Sequence, residues 1–183
     1  YMINLKDYNF FKLDYKVNKR VEKLISSLSN HMLYANSILR SIEKKSIDRR
    51  VIHGDPKLSN FLFDINSKYV VSLIDLDTVS SGYLLTDLAD CMRSICNLAG
   101  GDPENIENVF FDINACKYFL EGYFSVSNQN GNHYFEFLPE FIYLIIIELT
   151  IRFLNDFLQS NTYFKIKYQT QNLYRAEVQY RLL

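Results

Sequence analysis

The sequence predicts a mainly α-helical protein with one small β-hairpin at its centre. Apolar residues recur at steps of three and four over residues 17–42, which is the helical period, and charged residues fill the opposite face. Two short apolar runs, at residues 61–63 and 69–76, flank a polar turn and are typical of a hairpin. The 183 residues, of which 48% are hydrophobic, suffice for one domain with a buried core, with or without a helical extension.

The first half of the chain is predicted as one helix followed by a loop and the hairpin. Residues 17–42 form one long helix, or two that break near Asn30, and a charged stretch at 43–50 ends this part. Pro56 lacks a backbone donor and restricts the residue before it, so the segment after Ile52 is an irregular loop. After the hairpin, residues 80–82 are interpreted as a second loop.

The second half of the chain is predicted to be helical. The helices are expected at residues 84–98, 112–126, 135–158 and 171–183, and Gly100, Gly101 and Pro103 stop the first of them. The stretch at 137–158 is the most apolar of the chain, but charged residues interrupt it, so a buried helix is favoured over a membrane span.

Charge and composition exclude several classes of protein. The 20 basic and 21 acidic residues nearly cancel, so the sequence indicates no surface for nucleic acid. Residues 1–14 contain no apolar region of the kind a signal peptide requires. We therefore expect a cytoplasmic protein that contacts neither nucleic acid nor membrane and binds a small molecule.

Three cysteines, Cys91, Cys96 and Cys116, are present without a C-x-x-C pair and without histidines at metal spacing. An odd count in a cytosolic protein favours reduced, mostly buried thiols over disulfides or a zinc site.

One loop and one strand end carry the residues that point to chemistry. His53, Asp55 and Asn60 form the pattern H-x-D-x-x-x-x-N, and Asp75 ends the apolar strand that follows. A carboxylate such as Asp55 can orient a substrate hydroxyl and accept its proton, while Asn60 and Asp75 offer the hard oxygen ligands that Mg²⁺ bridging nucleotide phosphates prefers. In the interpretation without chemistry, Asp55 caps a turn, Asn60 bonds backbone and Asp75 terminates a strand.

The three stretches HGDPKLSN, SLIDLDT and TDLADCMR resemble the aminoglycoside phosphotransferase and choline-kinase superfamily. The closer likeness is to the N-acetylhexosamine 1-kinases, because the tail also resembles that family at residues 152–158, 163–165, 172–175 and 179. The likeness runs from about residue 51 to residue 183. It implies the C-terminal lobe of a protein-kinase-like α+β fold.

The resemblance also implies roles for the loop and strand residues. Asp55 would be the catalytic base facing the sugar's anomeric hydroxyl, and Asn60 and Asp75 would hold Mg²⁺. Asp77 would be a further metal ligand or a group just outside the metal's ligands, unless it caps a turn. His53 would fix the loop as a structural residue.

Five more residues receive supporting or substrate roles from the resemblance. Lys57 would approach the γ-phosphate, unless it is merely solvated, and Asp87 would bond the loop backbone. Arg152 and Tyr163 would contact the sugar, and Arg93 is a weaker candidate for the same contact. An ion pair with Glu148, four residues earlier on the same helix, is the competing interpretation of Arg152.

The predicted division of the chain follows from the same resemblance. Residues 1–48 are expected to be the helical N-terminal part of the C-terminal lobe, and residues 49–183 the catalytic lobe itself. No stretch before Val51 resembles the N-terminal lobe, a sheet that carries a phosphate-binding lysine and the adenine site. Because the chain opens on Tyr1, we expect a fragment of a longer protein that is inactive alone for lack of that lobe.

The sequence therefore favours an enzyme. The parent protein is expected to phosphorylate an N-acetylhexosamine or related sugar at the anomeric oxygen, with ATP and Mg²⁺. Choline, homoserine or an aminoglycoside are alternative substrates within the superfamily. Two hypotheses without catalysis stay open: a kinase-like lobe that binds or scaffolds without chemistry, and a helical domain in which the motif is accidental.

Overall fold

The first half of the structure is one long helix followed by four short strands. The computed structural model describes residues 15–45, 47, 49–127 and 133–183. Helix α1 (Tyr15–Glu43) runs unbroken through Asn30. It is followed by the strands β1 (Arg49–Ile52), β2 (Phe61–Phe63), β3 (Val70–Leu73) and β4 (Ser80–Tyr83). Residues 1–14, in which the sequence indicates no signal peptide, lie outside the described residues.

The second half is helical, as predicted. The helices are α2 (Leu84–Ile95), α3 (Ile113–Val126), α4 (Leu138–Leu158) and α5 (Gln171–Tyr180). The predicted first and last residues of these four helices are right to within three residues. The mainly α fold with a small hairpin is confirmed, and the arrangement is that of the C-terminal lobe of a kinase-like fold.

The strands form two separate antiparallel pairs. β2 pairs with β3, so the predicted hairpin is present. β1 pairs with β4, with Arg49 opposite Tyr83 and Ile52 opposite Ser80. The interpretation of residues 80–82 as a loop is therefore wrong. Ser80, Ser81 and Gly82 carry no strand pattern, and they become a strand because their backbone pairs with a segment about 30 residues earlier.

Gly82 lies against the one buried residue of β1, Ile52. A Cβ at position 82 would lie 2.3 Å from Cδ1 of Ile52, so any side chain there would require the Ile52 side chain to move.

Helix α4 is the centre of the packing. Leu138 and Phe141 pack with α2 and the end of α1, while Leu154 and Phe157 pack with α1 and α5. Ile146 belongs to a third cluster with Val178 of α5. α4 is thus largely buried among α1, α2 and α5, as predicted, and charged residues such as Glu148 and Arg152 occupy its exposed side. In the described part of the chain, none of the helices combines the length and the low charge that a bilayer crossing requires.

The three cysteines are unpaired and mostly buried, as predicted. Cys91 and Cys96 are buried and Cys116 is half-buried, and all three are free thiols. Burial raises the pKa of the Cys91 thiol to about 12 and that of Cys96 to about 12, and it raises the pKa of Cys116 as well.

We therefore predict slow alkylation of the folded chain at pH 8, since the thiolate is the reactive form and raised pKa values leave little of it. Iodoacetamide should modify Cys116 first, and Cys91 and Cys96 at least roughly a hundredfold more slowly than in guanidinium-unfolded protein. Peptide mapping by mass spectrometry after timed quenching measures each rate. Modification of Cys96 at the unfolded rate in the folded chain would contradict this packing.

Candidate catalytic site

The loop that follows β1 is fixed to helix α2 by one carboxylate. Asp87, in the first turn of α2, accepts hydrogen bonds from the backbone N–H of His53 (2.6 Å) and of Gly54 (2.9 Å). Thr78 also holds this loop, because its hydroxyl donates a hydrogen bond to the backbone carbonyl of His53 (2.8 Å). These contacts include the one that the resemblance implied for Asp87.

Gly54 is required where the loop turns. Its φ is +87°, and a Cβ there would lie 2.7 Å from the carbonyl oxygen of Thr78. Both the left-handed backbone and the close approach favour glycine.

The His53 side chain joins the loop to the end of strand β3. The ring is buried, and its Nδ1 accepts the backbone N–H of Asp55 (3.2 Å). The other ring nitrogen, Nε2, must then carry the proton, which it donates to the carbonyl of Ile74 (3.0 Å). Both nitrogens of a neutral imidazole are thereby engaged, which favours the structural role for His53 over a role as a base.

Asp55, Asn60 and Asp75 converge on one point. Asn60 is 5% exposed and ends the 3-10 helix Leu58–Asn60. Its Nδ2 donates to the carbonyl of Asp55 (2.8 Å) and reaches carboxylate oxygens of Asp55 (3.3 Å) and Asp75 (3.5 Å). The backbone N–H of Ile74 donates to the carbonyl of Asn60 (2.9 Å), so the loop and the strand end are also tied by backbone.

Asp75 adopts an unusual backbone conformation. Its φ is 69° and its ψ 54°, the left-handed region that non-glycine residues rarely occupy. Such a conformation costs on the order of 1 kcal/mol and persists where the surroundings impose it, which is frequent at functional sites. Here it accompanies the approach of the Asp75 carboxylate to Asn60.

Lys57 and Asp77 flank this group. The ammonium of Lys57 forms an ion pair with the Asp55 carboxylate, and both side chains are partly exposed. Asp77 lies exposed in the 3-10 helix Leu76–Thr78, immediately after Asp75. Lys57 is therefore more than a solvated cation, and it is placed where a phosphate could replace the carboxylate as its partner.

The donor set fits a magnesium ion that is shared with a nucleotide. Asp75 offers a carboxylate. Nδ2 of Asn60 faces both Asp55 and Asp75, and the other amide atom, Oδ1, is the one that can bind a cation. Among the described residues, no three His, Cys, Asp or Glu side chains are grouped so that they could hold a metal by themselves. Mg²⁺ commonly takes one or two protein oxygens and completes its ligands with water and phosphate, which matches this pair.

Arg93 lies inside the protein in a structural ion pair. Its guanidinium binds Asp90, three residues earlier on α2, at 2.7 Å, and its Nη1 donates to Oε1 of Gln179 on α5 (3.4 Å). The donors of Arg93 therefore link two helices, which argues against the sugar contact considered for it.

Arg152 and Tyr163 are brought together at the end of α4. The Arg152 guanidinium lies 5.9 Å from the ring centre of Tyr163 and 5.7 Å from that of Phe164, within range of a cation–π contact. The competing ion pair with Glu148 is also present, at 3.8 Å. Tyr163 is 74% exposed. These contacts join Arg152 and Tyr163 to residues of α4 and of the segment after it, and residues of the loop at 53–60 are not among them.

A buried carboxylate that the sequence interpretation overlooked places this pair. Asp156 is 4% exposed and accepts the backbone N–H of Tyr163 (2.8 Å) and of Phe164 (3.0 Å), and the amide of Asn172 (2.8 Å). An acidic residue in so apolar a helix was the available signal, because a buried carboxylate must find donors.

A family model described as the phosphotransferase enzyme family matches residues 9–108, more than half of the chain. The matched range contains the loop, the hairpin and α2, and it ends before α3. The tail with Arg152 and Tyr163 lies outside it.

We predict that Asp87→Asn loosens the loop and destabilises the chain by about 1–3 kcal/mol, because an amide offers one acceptor oxygen and turns its NH₂ group toward a backbone donor. Urea unfolding measures the loss, and hydrogen exchange of the 53–54 amides locates it. Glu121→Gln, at an exposed pair with Lys117 on α3, is the matched control and should stay within about 0.5 kcal/mol of wild type. Equal unfolding midpoints for Asp87→Asn and wild type would refute the anchoring role.

Proposed function

The chain belongs to the phosphotransferase enzyme family, and from this premise we propose that it carries the catalytic loop and metal ligands of an ATP-dependent kinase for a small-molecule alcohol. The observation that carries the proposal is the convergence of Asp55, Asn60 and Asp75. In a binding module, or in a helical domain with an accidental motif, nothing would require a carboxylate, an amide and a second carboxylate to meet.

The geometry supports a division of labour among the residues. The substrate hydroxyl oxygen attacks the γ-phosphorus of ATP, the bond to the β-phosphate oxygen breaks, and the hydroxyl proton passes to the Asp55 carboxylate. A magnesium ion held by Asn60 and Asp75 would neutralise charge on the phosphates when bound. Lys57 exchanges its contact with Asp55 for one with the transferring phosphoryl group. Catalysis of this kind consists mainly of positioning and charge stabilisation.

A sugar is the substrate that we propose, and an N-acetylhexosamine phosphorylated at the anomeric oxygen is the specific candidate. Arg152 and Tyr163 support it, because an exposed aromatic ring beside a guanidinium offers a polyol both an apolar face and paired donors. The cationic side chain of Arg152 also makes a polycationic aminoglycoside a poorer fit.

We propose that an N-terminal lobe completes the site. Exposed apolar side chains are frequent on the hairpin and on the segments next to Asp75: Leu62, Phe63, Val70, Val71, Ile74, Leu76 and Val79. Extensive exposed apolar surface commonly marks a site that a partner covers. A lobe over this surface would hold the adenine and exclude water from the reacting phosphate.

Kinase activity of the full-length gene product tests the proposal directly. Release of ADP with N-acetylhexosamines, other sugars, choline, homoserine and an aminoglycoside should identify one class of acceptor. Asp55→Asn should lower kcat on the order of 10²- to 10⁴-fold with little change in the KM for ATP. Glu22→Gln, on the exposed face of α1, is the control. An Asp55→Asn variant as active as wild type would exclude Asp55 as the base, and no turnover with any acceptor would contradict the kinase.

The sugar contact has a separate test. Tyr163→Ala and Arg152→Ala should each raise the KM for the sugar about fivefold while the KM for ATP stays constant, since an aromatic or charged contact of this kind contributes about 1 kcal/mol. Tyr118→Ala is the matched control, because Tyr118 on α3 is 70% exposed and so resembles Tyr163 in accessibility. Unchanged sugar KM values in both variants would remove the pair from the substrate site.

A further inference from the structure

Helix α2 contacts the catalytic loop at a second point, which the mechanism above does not use. The hydroxyl oxygen of Ser94 accepts a hydrogen bond from the backbone N–H of Leu58 (2.9 Å). Ser94 follows Asp87 by seven residues, which is two turns, so both side chains project from the same face of α2. One face of one helix therefore holds the loop at residues 53–54 and again at residue 58.

The amide that Ser94 accepts belongs to the turn that carries the metal ligand. Leu58 opens the 3-10 helix Leu58–Asn60, and its cap residue, Lys57, provides no side-chain hydrogen bond to that helix. The first N–H groups of any helix lack partners within it. Ser94 thus provides, from another element, the acceptor that this single turn does not have in its own sequence.

The stretch between the two anchors contains the reacting groups. Asp55, Pro56 and Lys57 lie between the amides held by Asp87 and the amide held by Ser94. Pro56 has no N–H, and the Asp55 N–H is used by His53. Asn60, in turn, closes the 3-10 helix with its N–H on the carbonyl of Lys57 (2.8 Å). The Leu58 N–H is therefore the point at which α2 sets the position of Lys57 and Asn60.

We propose that Ser94 is a positioning residue for phosphoryl transfer. It acts through the Leu58 amide on Asn60 and Lys57, and it touches neither the alcohol nor the nucleotide. This inference rests on the proposed kinase function. It assigns Ser94 to the metal-binding half of the site, so its loss should weaken the response to Mg²⁺ and lower kcat, and should leave the KM for the alcohol unchanged.

The structure offers two ways to break this hydrogen bond from opposite sides. Ser94→Ala removes the acceptor. Leu58→Pro removes the donor, and the backbone permits it, because proline suits the first position of a helix and Lys57 already has the extended conformation (φ −69°, ψ 155°) that a residue before proline needs. Ser94→Thr keeps the hydroxyl. Ser125→Ala is the matched control, since the Ser125 hydroxyl donates to a carbonyl of its own helix, α3.

The first readout is independent of activity. In Ser94→Ala, hydrogen exchange at the Leu58 amide should quicken on the order of fivefold, the effect of one lost hydrogen bond, and Ser94→Thr should restore wild-type exchange. The second readout is kinetic: the Mg²⁺ concentration for half-maximal rate should rise about tenfold in Ser94→Ala and in Leu58→Pro. In the double variant Ser94→Ala/Leu58→Pro, the Mg²⁺ concentration for half-maximal rate should be no higher than in either single variant, because both substitutions remove the same hydrogen bond.

The two readouts separate failure of this inference from failure of the kinase. An active wild type whose Ser94→Ala variant retains its Leu58 exchange rate and its Mg²⁺ dependence would overturn the role of Ser94 alone. Additive losses in the double variant would overturn it too, since they would mean separate effects. A wild type that phosphorylates nothing overturns the proposed function, and with it the positioning role, even if exchange at Leu58 shows that the anchor exists. If Ser94→Ala fails to fold, Leu58→Pro decides by its Mg²⁺ dependence, with wild-type Mg²⁺ dependence overturning the role of Ser94, and Ser94→Thr must then match wild type in both readouts.

Discussion

The carboxylate of Asp87 is the contact on which the candidate site depends. It receives two backbone amides of the loop, and it sits at the start of α2, whose buried face packs against α4. These two hydrogen bonds tie the loop that carries Asp55 to the core of the protein, and further hydrogen bonds that involve His53, Asn60 and Thr78 tie it to the residues that follow strand β3. Loop residues that must be placed to a fraction of an ångström are commonly supported in this way by a rigid element.

A second carboxylate, which is buried, does the same for the segment after α4. Asp156 of α4 accepts two backbone amides of the segment that carries Tyr163, and Asn172 of α5 donates to it as well. Asn172 is in turn bonded by Arg175, whose guanidinium also pairs with Asp102. Each acidic side chain thus converts an irregular segment into a fixed one, because its donors are backbone groups that would otherwise lack partners.

Local patterns in the sequence predicted much of this architecture, and long-range contacts supplied the rest. The period of three and four predicted α1, the most apolar stretch of the chain predicted α4, and the spacing from His53 to Asn60 predicted the loop. Strand β4 was missed because Ser80, Ser81 and Gly82 have no pattern of their own. Ser94 was missed for a similar reason, since its partner is a backbone amide that no sequence pattern marks. The structural role of Arg93 depends on its hydrogen bond to Gln179 of α5, a contact between distant positions that the sequence pattern does not indicate.

The most direct measurement of the central claim is the binding of Mn²⁺–ATP to the full-length gene product, followed by water proton relaxation. Asp75→Asn is a suitable variant, because asparagine tolerates the left-handed backbone of residue 75 and keeps the shape of the side chain while the charge and one acceptor oxygen are lost. If Asn60 and Asp75 form the metal site, wild type should show a saturable enhancement, and Asp75→Asn should need at least about tenfold more Mn²⁺–ATP to reach it. Superimposable curves for the two proteins would contradict a metal site at the end of strand β3.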